Sequence, residues 1–600
     1  MSEVRARVIS NIHIPPVEGF PIRTFGEYLP AVGADGKENP PWRPEMERRT
    51  LAQILPLIPK AEQPDILLIS SPEYLPIPTD IASFSGLKIL LITDWNLCLR
   101  FLPELCSLFD FCFTDWPGYR LLKHAGIPNI YFQPLFGHSP EHFRCLGKPR
   151  DLDLSFCGNL NAGLHGERNR LLVRVAKWAM DGPGRPRHAV HLRQAFNDAY
   201  VDVLNRSRLV FNYSIRGEAN MRLYESMACG AVPLVEETNQ EVSILFQEDK
   251  HYFRYRLGGL EERLDSLLAD PEGLEKVSAA AREAVAGHTK SKQVQTLLES
   301  ALRESPGRSI GDLRPSSLSH ATLLSGRKAL IKLRVLGAGY SLGEAISEIE
   351  TLSVDCPGLI LETLPAALLS LLATNVPGTA VSIENTVEQF IHRSGLPEVL
   401  GAFIGMKMAV WRGQWQVTID EADRCARLLR EFSSVPETLL PLYGYLHPPL
   451  DLGKGFTSDL NQAYREDLGK GRRQGYIELL QAHCASDKSH ALLSLGKLEE
   501  SLVELEGVPL ARFASLEPFG ALVMGMFRIG NKEAMRKLAE LWFSYNPLDM
   551  GTWEKVFEAY SLLGVKSDIV AFIEEINLLA ETFMEKEQAE VIKGMLERER

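Results

Sequence analysis

Residues 220–234, NMRLYESMACGAVPL, are the stretch that decides the fold. A polar loop residue opens a short helix, Gly230 ends that helix, and an apolar strand follows at once. The N-terminus of such a helix presents backbone N–H groups and a partial positive charge at the edge of the sheet, which suits a diphosphate. The stretch therefore predicts a helix–strand unit of an α/β protein, with an anion site where the helix begins.

Arg222 and Glu225 stand three residues apart on this helix, so their side chains share one face. An arginine can pair with two phosphate oxygens at once, and a carboxylate can accept hydrogen bonds from two neighbouring ribose hydroxyls. Together they are suited to hold a nucleotide. Taken alone, the same spacing also describes an ordinary surface ion pair, which is the alternative interpretation.

Short apolar runs surround this stretch and fall into two series. Near-continuous apolar strands with crossover segments between them predict parallel sheets covered by helices, and two such series predict two Rossmann-like lobes with a cleft between them. Ligands bind such sheets beyond the carboxyl ends of the strands. The first series comprises residues 66–69, 88–92, 109–113 and 130–132, and the second comprises 152–158, 188–192, 209–213 and 231–236.

The second series resembles the carboxyl-terminal lobe of the GT-B glycosyltransferases, in particular the spore-maturation-type branch of glycosyl transferases group 1. That lobe carries the pattern N-x-R-x-x-E-x-x-A-x-G before an apolar strand, and this chain supplies Asn220, Arg222, Glu225, Ala228 and Gly230 in that register. The resemblance implies that Asn220, Arg222 and Glu225 bind a UDP- or GDP-linked sugar donor, as a co-substrate and without a further cofactor.

The resemblance extends upstream. Gly158 and Asn159 follow a strand and look like the glycine loop that approaches the donor diphosphate, with Arg168 placed to neutralise it. Asn212 ends a later strand and matches a family position that lines the donor pocket. A glycine lets the backbone come close to a ligand, although Gly158 and Asn159 also fit a plain strand-ending turn.

Catalytic residues are harder to identify from the sequence. Glu218 precedes Glu225 with six residues between them, whereas related retaining enzymes have seven, so the role of a first glutamate does not carry over. An inverting enzyme needs a general base on the first lobe, and Asp94 at the end of a strand is the best-located carboxylate. His138 is a candidate for contacting the sugar or the phosphate. Helix capping or a loop contact is the alternative role for both.

The region beyond the lobes has a helical pattern. Gly496, Gly530 and Gly564 are spaced by 34 residues, which is the period of tetratricopeptide repeats, whose glycine lies in the turn of a helical hairpin. A polar stretch rich in Ser, Pro and Gly precedes the region and predicts a linker. We therefore expect an N-terminal, acceptor-side lobe at 1–140, a donor-side lobe at 141–303, a linker at 304–325 and an all-α helical-repeat domain at 326–600.

Composition narrows the class of protein. The chain has 600 residues, with 65 Lys and Arg against 77 Asp and Glu, and its net charge of −12 argues against a general nucleic-acid binder. The nine cysteines show neither C-x-x-C pairs nor zinc-ligand spacing. The N-terminus lacks the apolar core of a signal peptide, and the longest uncharged stretch, 363–383, is broken by prolines, so we expect no transmembrane segment and a cytoplasmic protein.

These observations favour a metal-independent glycosyltransferase, in which arginines and helix N-termini stabilise the departing nucleoside diphosphate. The acceptor is expected to be a protein or a cell-surface glycan precursor, and the helical domain is expected to recruit that acceptor or a protein partner. Retention or inversion at the sugar stays open. The alternatives are a nucleotide-sugar epimerase of the same fold and a non-catalytic interaction scaffold.

Overall fold

The computed structural model describes residues 4–25, 50–73, 77–95, 102–124, 126–160, 162–180, 186–305, 398–431, 474–506, 530–545 and 547–584, with a few single positions between and beyond them. Most of the predicted linker, and the first part of the predicted helical domain up to residue 397, therefore lie outside the described residues.

The first lobe is built on a six-stranded sheet in which every strand pair is parallel. The strand order is β2-β1-β3-β4-β5-β6. The central strand β3 reads ILLIS and is buried along its whole length, because helices cover both faces of such a sheet. The elements are β1 (Val8–Ser10), β2 (Ile22–Thr24), α1 (Leu51–Ile54), β3 (Ile66–Ser70), β4 (Leu87–Ile92), α2 (Leu102–Cys106), β5 (Phe111–Thr114), α3 (Trp116–His124) and β6 (Ile130–Phe132).

The second lobe is built on a five-stranded parallel sheet with the strand order β11-β10-β9-β7-β8. The prediction of two parallel, Rossmann-like α/β lobes is thus confirmed. The elements are β7 (Leu152–Ser155), α4 (Ala162–Trp178), β8 (Val190–His191), α5 (Asn197–Arg206), β9 (Ser207–Phe211), α6 (Met221–Ala228), β10 (Val232–Glu236), α7 (Gln240–Leu245), β11 (Phe253–Tyr255), α8 (Leu260–Leu268), α9 (Pro271–Val285) and α10 (Lys290–Glu304).

The last of these helices, α10, packs on the other lobe. Its residues Leu297, Leu298 and Ala301 belong to the apolar cluster that covers the first sheet, together with Val8 and Phe111. The division at residue 303, drawn from the sequence, groups α10 with the second lobe, whereas its apolar face covers the first sheet. The chain therefore crosses between the lobes twice.

The described parts of the carboxyl-terminal region are helical. Gly496, Gly530 and Gly564 have φ of 79°, 76° and 70°, the left-handed backbone conformation that favours glycine, and each lies next to a helix end. Their role as turn residues agrees with the 34-residue spacing, while tetratricopeptide identity stays a prediction. The helices are α11 (Glu398–Trp411), α12 (Trp415–Arg430), α13 (Gln474–Ser494), α14 (Leu498–Glu506), α15 (Lys532–Tyr545), α16 (Met550–Leu563) and α17 (Lys566–Phe583).

The last three helices pack directly against the second lobe. Met535 and Ile576 share one apolar cluster with Val175 of α4. Lys177 Nζ of α4 lies 2.5 Å from Glu575 Oε1 of α17. The second lobe and α15–α17 therefore bury their apolar faces in a common core, which the sequence alone did not suggest. In the ranges that the structure describes, no helix has both the length and the apolarity needed to cross a membrane.

Candidate functional site

A cavity with a volume of about 1010 Å³ opens in the second lobe, where the carboxyl ends of β7, β8 and β9 meet the start of α6. Backbone loops that leave parallel strands converge at this edge of the sheet, which is why side chains distant in sequence line one space. Of the residues proposed from the sequence, the cavity is lined by Gly158, Asn159, Arg168, Asn220, Arg222 and Glu225.

Arg222 reaches across the floor of the cavity from the first turn of α6. Its Nε donates a hydrogen bond to Cys157 O at 3.0 Å, and its Nη1 donates to Asn212 Oδ1 at 3.2 Å. Asn212 is fully buried, so it supports the arginine and does not itself line the cavity. A Cβ atom at Gly158 would lie 2.6 Å from Arg222 Nη2, so only glycine leaves room for the guanidinium group.

Arg168 lies beside Arg222 on the same aromatic ring. The guanidinium carbons of Arg168 and Arg222 are 4.9 and 4.3 Å from the ring centroid of Phe156. Arg168 donates a hydrogen bond to Asn159 O, while its buried Nε has no hydrogen-bond partner in the part of the chain that the structure describes. Burial, followed by the charge of Arg222, lowers the pKa of Arg168 to about 9.

The positive charge at this point is not balanced by a salt bridge. Within the described part of the chain, neither Arg168 nor Arg222 lies within 4 Å of a carboxylate oxygen. Arg168 is buried and Arg222 is partly buried. Two guanidinium groups on one ring repel each other, and an anion with several oxygens between them would remove that cost. The arrangement is suited to a diphosphate.

His165 adds a third nitrogen-bearing side chain that sequence reasoning missed. It interrupts α4 with a φ of −128° and a ψ of 27°. Burial, followed by the charges of Arg168 and Arg222, lowers the pKa of His165 to about 2, so its imidazole is neutral. Its Nδ1 atom is buried without a hydrogen-bond partner among the described residues. The sequence signal that could have pointed to His165 is a segment that contains Gly and His just before an arginine-rich helix.

Glu225 lies one turn further along α6 and is only 6% exposed. The hydroxyl of Tyr200, on α5, donates a hydrogen bond of 2.9 Å to Glu225 Oε2. Burial raises the pKa of Glu225, and the hydrogen bond from Tyr200 opposes that rise. Asn220 Oδ1 accepts a hydrogen bond from Leu223 N at 3.3 Å, so Asn220 is the N-cap of the helix that carries the site.

Asp94 lies at the contact between the lobes. It forms an ion pair with Arg216, which comes from the loop between β9 and α6 of the second lobe. Arg216 Nη2 also donates to Thr93 O at 3.2 Å, and its Nε lies 3.6 Å from Asp115 Oδ2. The structure therefore places Asp94 at a strand end facing the other lobe, as the sequence suggests, but in an ion pair outside the cavity lining.

Glu73 is a second carboxyl group of this contact that sequence reasoning missed. Its Oε1 accepts hydrogen bonds from the Thr93 hydroxyl and, at 2.8 Å, from Asp94 N. Burial, followed by the charge of Asp94, raises the pKa of Glu73 to about 7, and burial raises that of Asp115 to about 6. No group of three or more His, Cys, Asp or Glu side chains among the described residues is placed to hold a metal ion.

His138 lies away from the cavity. It is only 4% exposed and forms an isolated parallel bridge with Thr289, just before α10. Its Nδ1 lies 3.1 Å from His288 O, and its carbonyl accepts a hydrogen bond from Lys290 N at 3.0 Å. Burial lowers the pKa of His138. Its contacts are those of a residue that fixes the crossover, because they all go to the chain segment that leads back to the first lobe.

Comparison with protein families finds a match to the lobe that contains the cavity. Residues 148–299, the lobe that contains it, match a protein family described as Glycosyl transferase-like. A sequence search of curated proteins finds no match.

Three solved structures resemble parts of the chain at low identity. The crystal structure of TarM is 11% identical, with a TM-score of 0.31, over 39% of this chain and 54% of TarM, so this chain spans about half of that relative. Sucrose-phosphate synthase from Thermosynechococcus elongatus is 11% identical, with a TM-score of 0.35, over 51% and 100%. Anabaena HepE in complex with UDP and glucose is 12% identical, with a TM-score of 0.33, over 50% and 99%. What the comparisons establish is that the cavity-bearing lobe is glycosyl transferase-like in sequence.

Proposed function

We propose that the protein is a GT-B glycosyltransferase that transfers a sugar from a nucleoside-diphosphate sugar to an acceptor. The observation that carries this proposal is the pair of guanidinium groups on the ring of Phe156, that of Arg168 buried and that of Arg222 partly buried. They lie in the same cavity as the buried carboxylate Glu225. Two cations and one carboxylate are suited to the two chemically different halves of a nucleoside diphosphate.

The positions of the two arginines and of Glu225 define the direction in which the donor lies along the cavity. Its diphosphate binds between Arg168 and Arg222, and its ribose hydroxyls donate to Glu225, one helical turn from Arg222. The base then points to the cavity mouth, where the ring of Phe196, which lines the cavity and is 69% exposed, is available for stacking. The sugar points the other way, towards Glu218, whose Oε2 accepts a hydrogen bond from Arg216 N at 2.9 Å.

This direction brings the sugar to the contact between the lobes, where an acceptor enters from the first lobe. Arg168 and Arg222 stabilise the negative charge that develops on the departing nucleoside diphosphate. For Asp94 to accept a proton from the acceptor, its ion pair with Arg216 has to open, so proton transfer in an inverting reaction is linked to movement of the lobes.

The acceptor proposed is a protein or a glycan precursor, recruited by the helical region. Support comes from the packing of α15–α17 on the lobe that holds the cavity. Stacked helical hairpins offer extended surfaces to peptides and proteins. UDP and GDP are both compatible with the contacts described.

The experiment is to incubate the protein with UDP- and GDP-linked sugars and to follow nucleoside diphosphate release and the sugar product. We expect release of UDP or GDP, and its loss in Glu225→Ala and Arg222→Gln, both of which should remain folded by circular dichroism. Arg206→Gln is the matched control, because Arg206 is exposed and pairs with Asp151 on the surface of the same lobe. An epimeric nucleotide sugar would indicate the epimerase alternative, and absence of any nucleotide response would indicate a scaffold.

A further inference from the structure

The hydroxyl of Tyr200 has one hydrogen-bond partner in the described structure, Glu225 Oε2 at 2.9 Å. The ring is fixed by packing, since its centroid lies 5.8 Å from that of Phe143 in an edge-to-face arrangement. It also contacts the apolar cluster of Leu204 and Val210. A rigid ring holds its hydroxyl at one point, so the hydrogen bond selects one orientation of the Glu225 carboxylate.

That orientation leaves one carboxylate oxygen for a ligand. Tyr200 occupies Oε2 of Glu225, and no described residue donates to Oε1. Glu225 is only 6% exposed and lines the cavity, so its Oε1 is reached from the cavity side. A bound ligand displaces water from this part of the cavity, so a ligand hydroxyl that donates to Oε1 is favoured, and a ligand without that hydroxyl leaves the acceptor unpaired.

We infer that Tyr200 is a positioning residue that holds Glu225 for the ribose hydroxyls, so that the Tyr200–Glu225 pair makes the site selective for ribonucleotides over deoxyribonucleotides. This inference rests on the proposed function, because it assigns the ribose to Glu225. It adds the requirement that the donor carries ribose hydroxyls. Neither Arg168 nor Arg222 imposes that requirement, since the diphosphate is the same in ribonucleotides and deoxyribonucleotides.

The test is a titration of the full-length protein with UDP and GDP, each compared with its 2′,3′-dideoxy analogue. The wild type should bind the ribonucleotide at least about tenfold more tightly. Tyr200→Phe keeps the ring on Phe143 and should reduce that ratio several-fold, mainly by weakening the ribonucleotide. Glu225→Ala removes the carboxylate itself, and the double variant should lose no more selectivity than Glu225→Ala alone.

Tyr224→Phe is the matched control. Tyr224 precedes Glu225 on α6, is fully buried, and its hydroxyl has no hydrogen-bond partner among the described residues. It should leave the ratio unchanged, which separates loss of the Tyr200 hydrogen bond from loss of any buried hydroxyl on α5 and α6.

The outcomes separate the two hypotheses. If Tyr200→Phe weakens the ribonucleotide and its dideoxy analogue equally, or leaves both unchanged, the positioning role is overturned while the proposed function stands. If the wild type binds the two analogues equally, the ribose is not at Glu225, and this inference is overturned together with the proposed donor orientation. If the wild type binds no nucleoside diphosphate, the proposed function itself is overturned.

Discussion

Arg168 and Arg222 share the ring of Phe156, with guanidinium carbons 4.9 and 4.3 Å from its centroid and no carboxylate within salt-bridge distance in the part of the chain described. Arg168 comes from α4 and Arg222 from α6, so two separate crossover helices direct cations to one point. Two cations on one ring repel each other, so we expect this arrangement to destabilise the ligand-free protein and the proposed anion to offset that repulsion.

Arg168→Met tests whether the repulsion between Arg168 and Arg222 lowers the stability of the ligand-free protein. Methionine fills the space beside Phe156 and removes one of two repelling charges, so the ligand-free protein should gain stability, by about 1 kcal/mol. Binding of UDP or GDP should weaken at least tenfold, because one charge-assisted contact to the diphosphate is lost. Thermal unfolding with and without nucleotide measures both effects. A variant that is less stable than the wild type without ligand would contradict the repulsion.

Gly158→Ala tests the close approach of the arginine to the backbone. A Cβ at this position would lie 2.6 Å from Arg222 Nη2 and 2.8 Å from the Phe156 ring, so the guanidinium group has to move. We expect a loss of stability of about 1–3 kcal/mol and weaker nucleotide binding. Gly258→Ala is the control, because a Cβ there meets no atom within 4 Å. Nucleotide affinity equal to that of the control in a calorimetric titration would contradict the assignment.

Glu73→Gln tests the buried carboxyl group at the lobe contact. Its pKa is raised from the ordinary 4.5 to about 7, so the folded state holds the proton more tightly than the unfolded state. Stability contributed by this group is therefore present below about pH 4.5 and lost as the pH rises through about 7. Glutamine resembles the protonated form, and its Oε1 can accept the same hydrogen bonds from Thr93 and Asp94.

The variant should accordingly match the wild type at pH 5 and be more stable at pH 8, as measured by urea unfolding at the two values. Asp115 and its neighbour Arg216 are present in both proteins, so their titration cancels in the comparison. A difference between the variant and the wild type that does not change with pH would refute the assignment of the raised pKa.

Ile576→Ala tests whether the last helices share a core with the donor lobe. Ile576 is 1% exposed on α17 and lies in the cluster that includes Val175 of α4, so the truncation should cost about 2–4 kcal/mol. Amide hydrogen exchange should become faster in α4 as well as in α17, but not in β3–β5 of the first lobe. Val503→Ala, at a 64% exposed position, is the control. Unchanged exchange in α4 would show that the two parts unfold independently.

The sequence predicted the parts that local pattern determines. The fully buried strand β3 could be predicted because an apolar run is a local signal. The unit of α6 and β10 could be predicted because the capping Asn220 and the turn at Gly230 are also local signals. Contacts between residues that are distant in the sequence could not be predicted. Tyr200 meets Glu225 only because α5 packs on α6, and Arg216 meets Asp94 across 122 positions.

The limits of helices and the packing between domains could not be predicted from the sequence for the same reason. The arginines that follow Glu167 predict a helix that begins at about that residue. In the structure α4 begins at Ala162 and bends at His165, since the burial of that side chain depends on the surrounding loops. The apolar face of α10 gave no sign of which sheet it covers. Such pairings are decided by tertiary contacts, which periodicity does not contain.

The most direct test of the central claim compares a nucleoside diphosphate with its nucleoside, UDP with uridine and GDP with guanosine, by calorimetric titration. If a diphosphate is bound between Arg168 and Arg222, the wild type should bind the diphosphate about a hundredfold more tightly, and the double variant Arg168→Met/Arg222→Gln should bind both ligands with the same affinity. A wild type that binds the diphosphate no more tightly than the nucleoside would contradict the account.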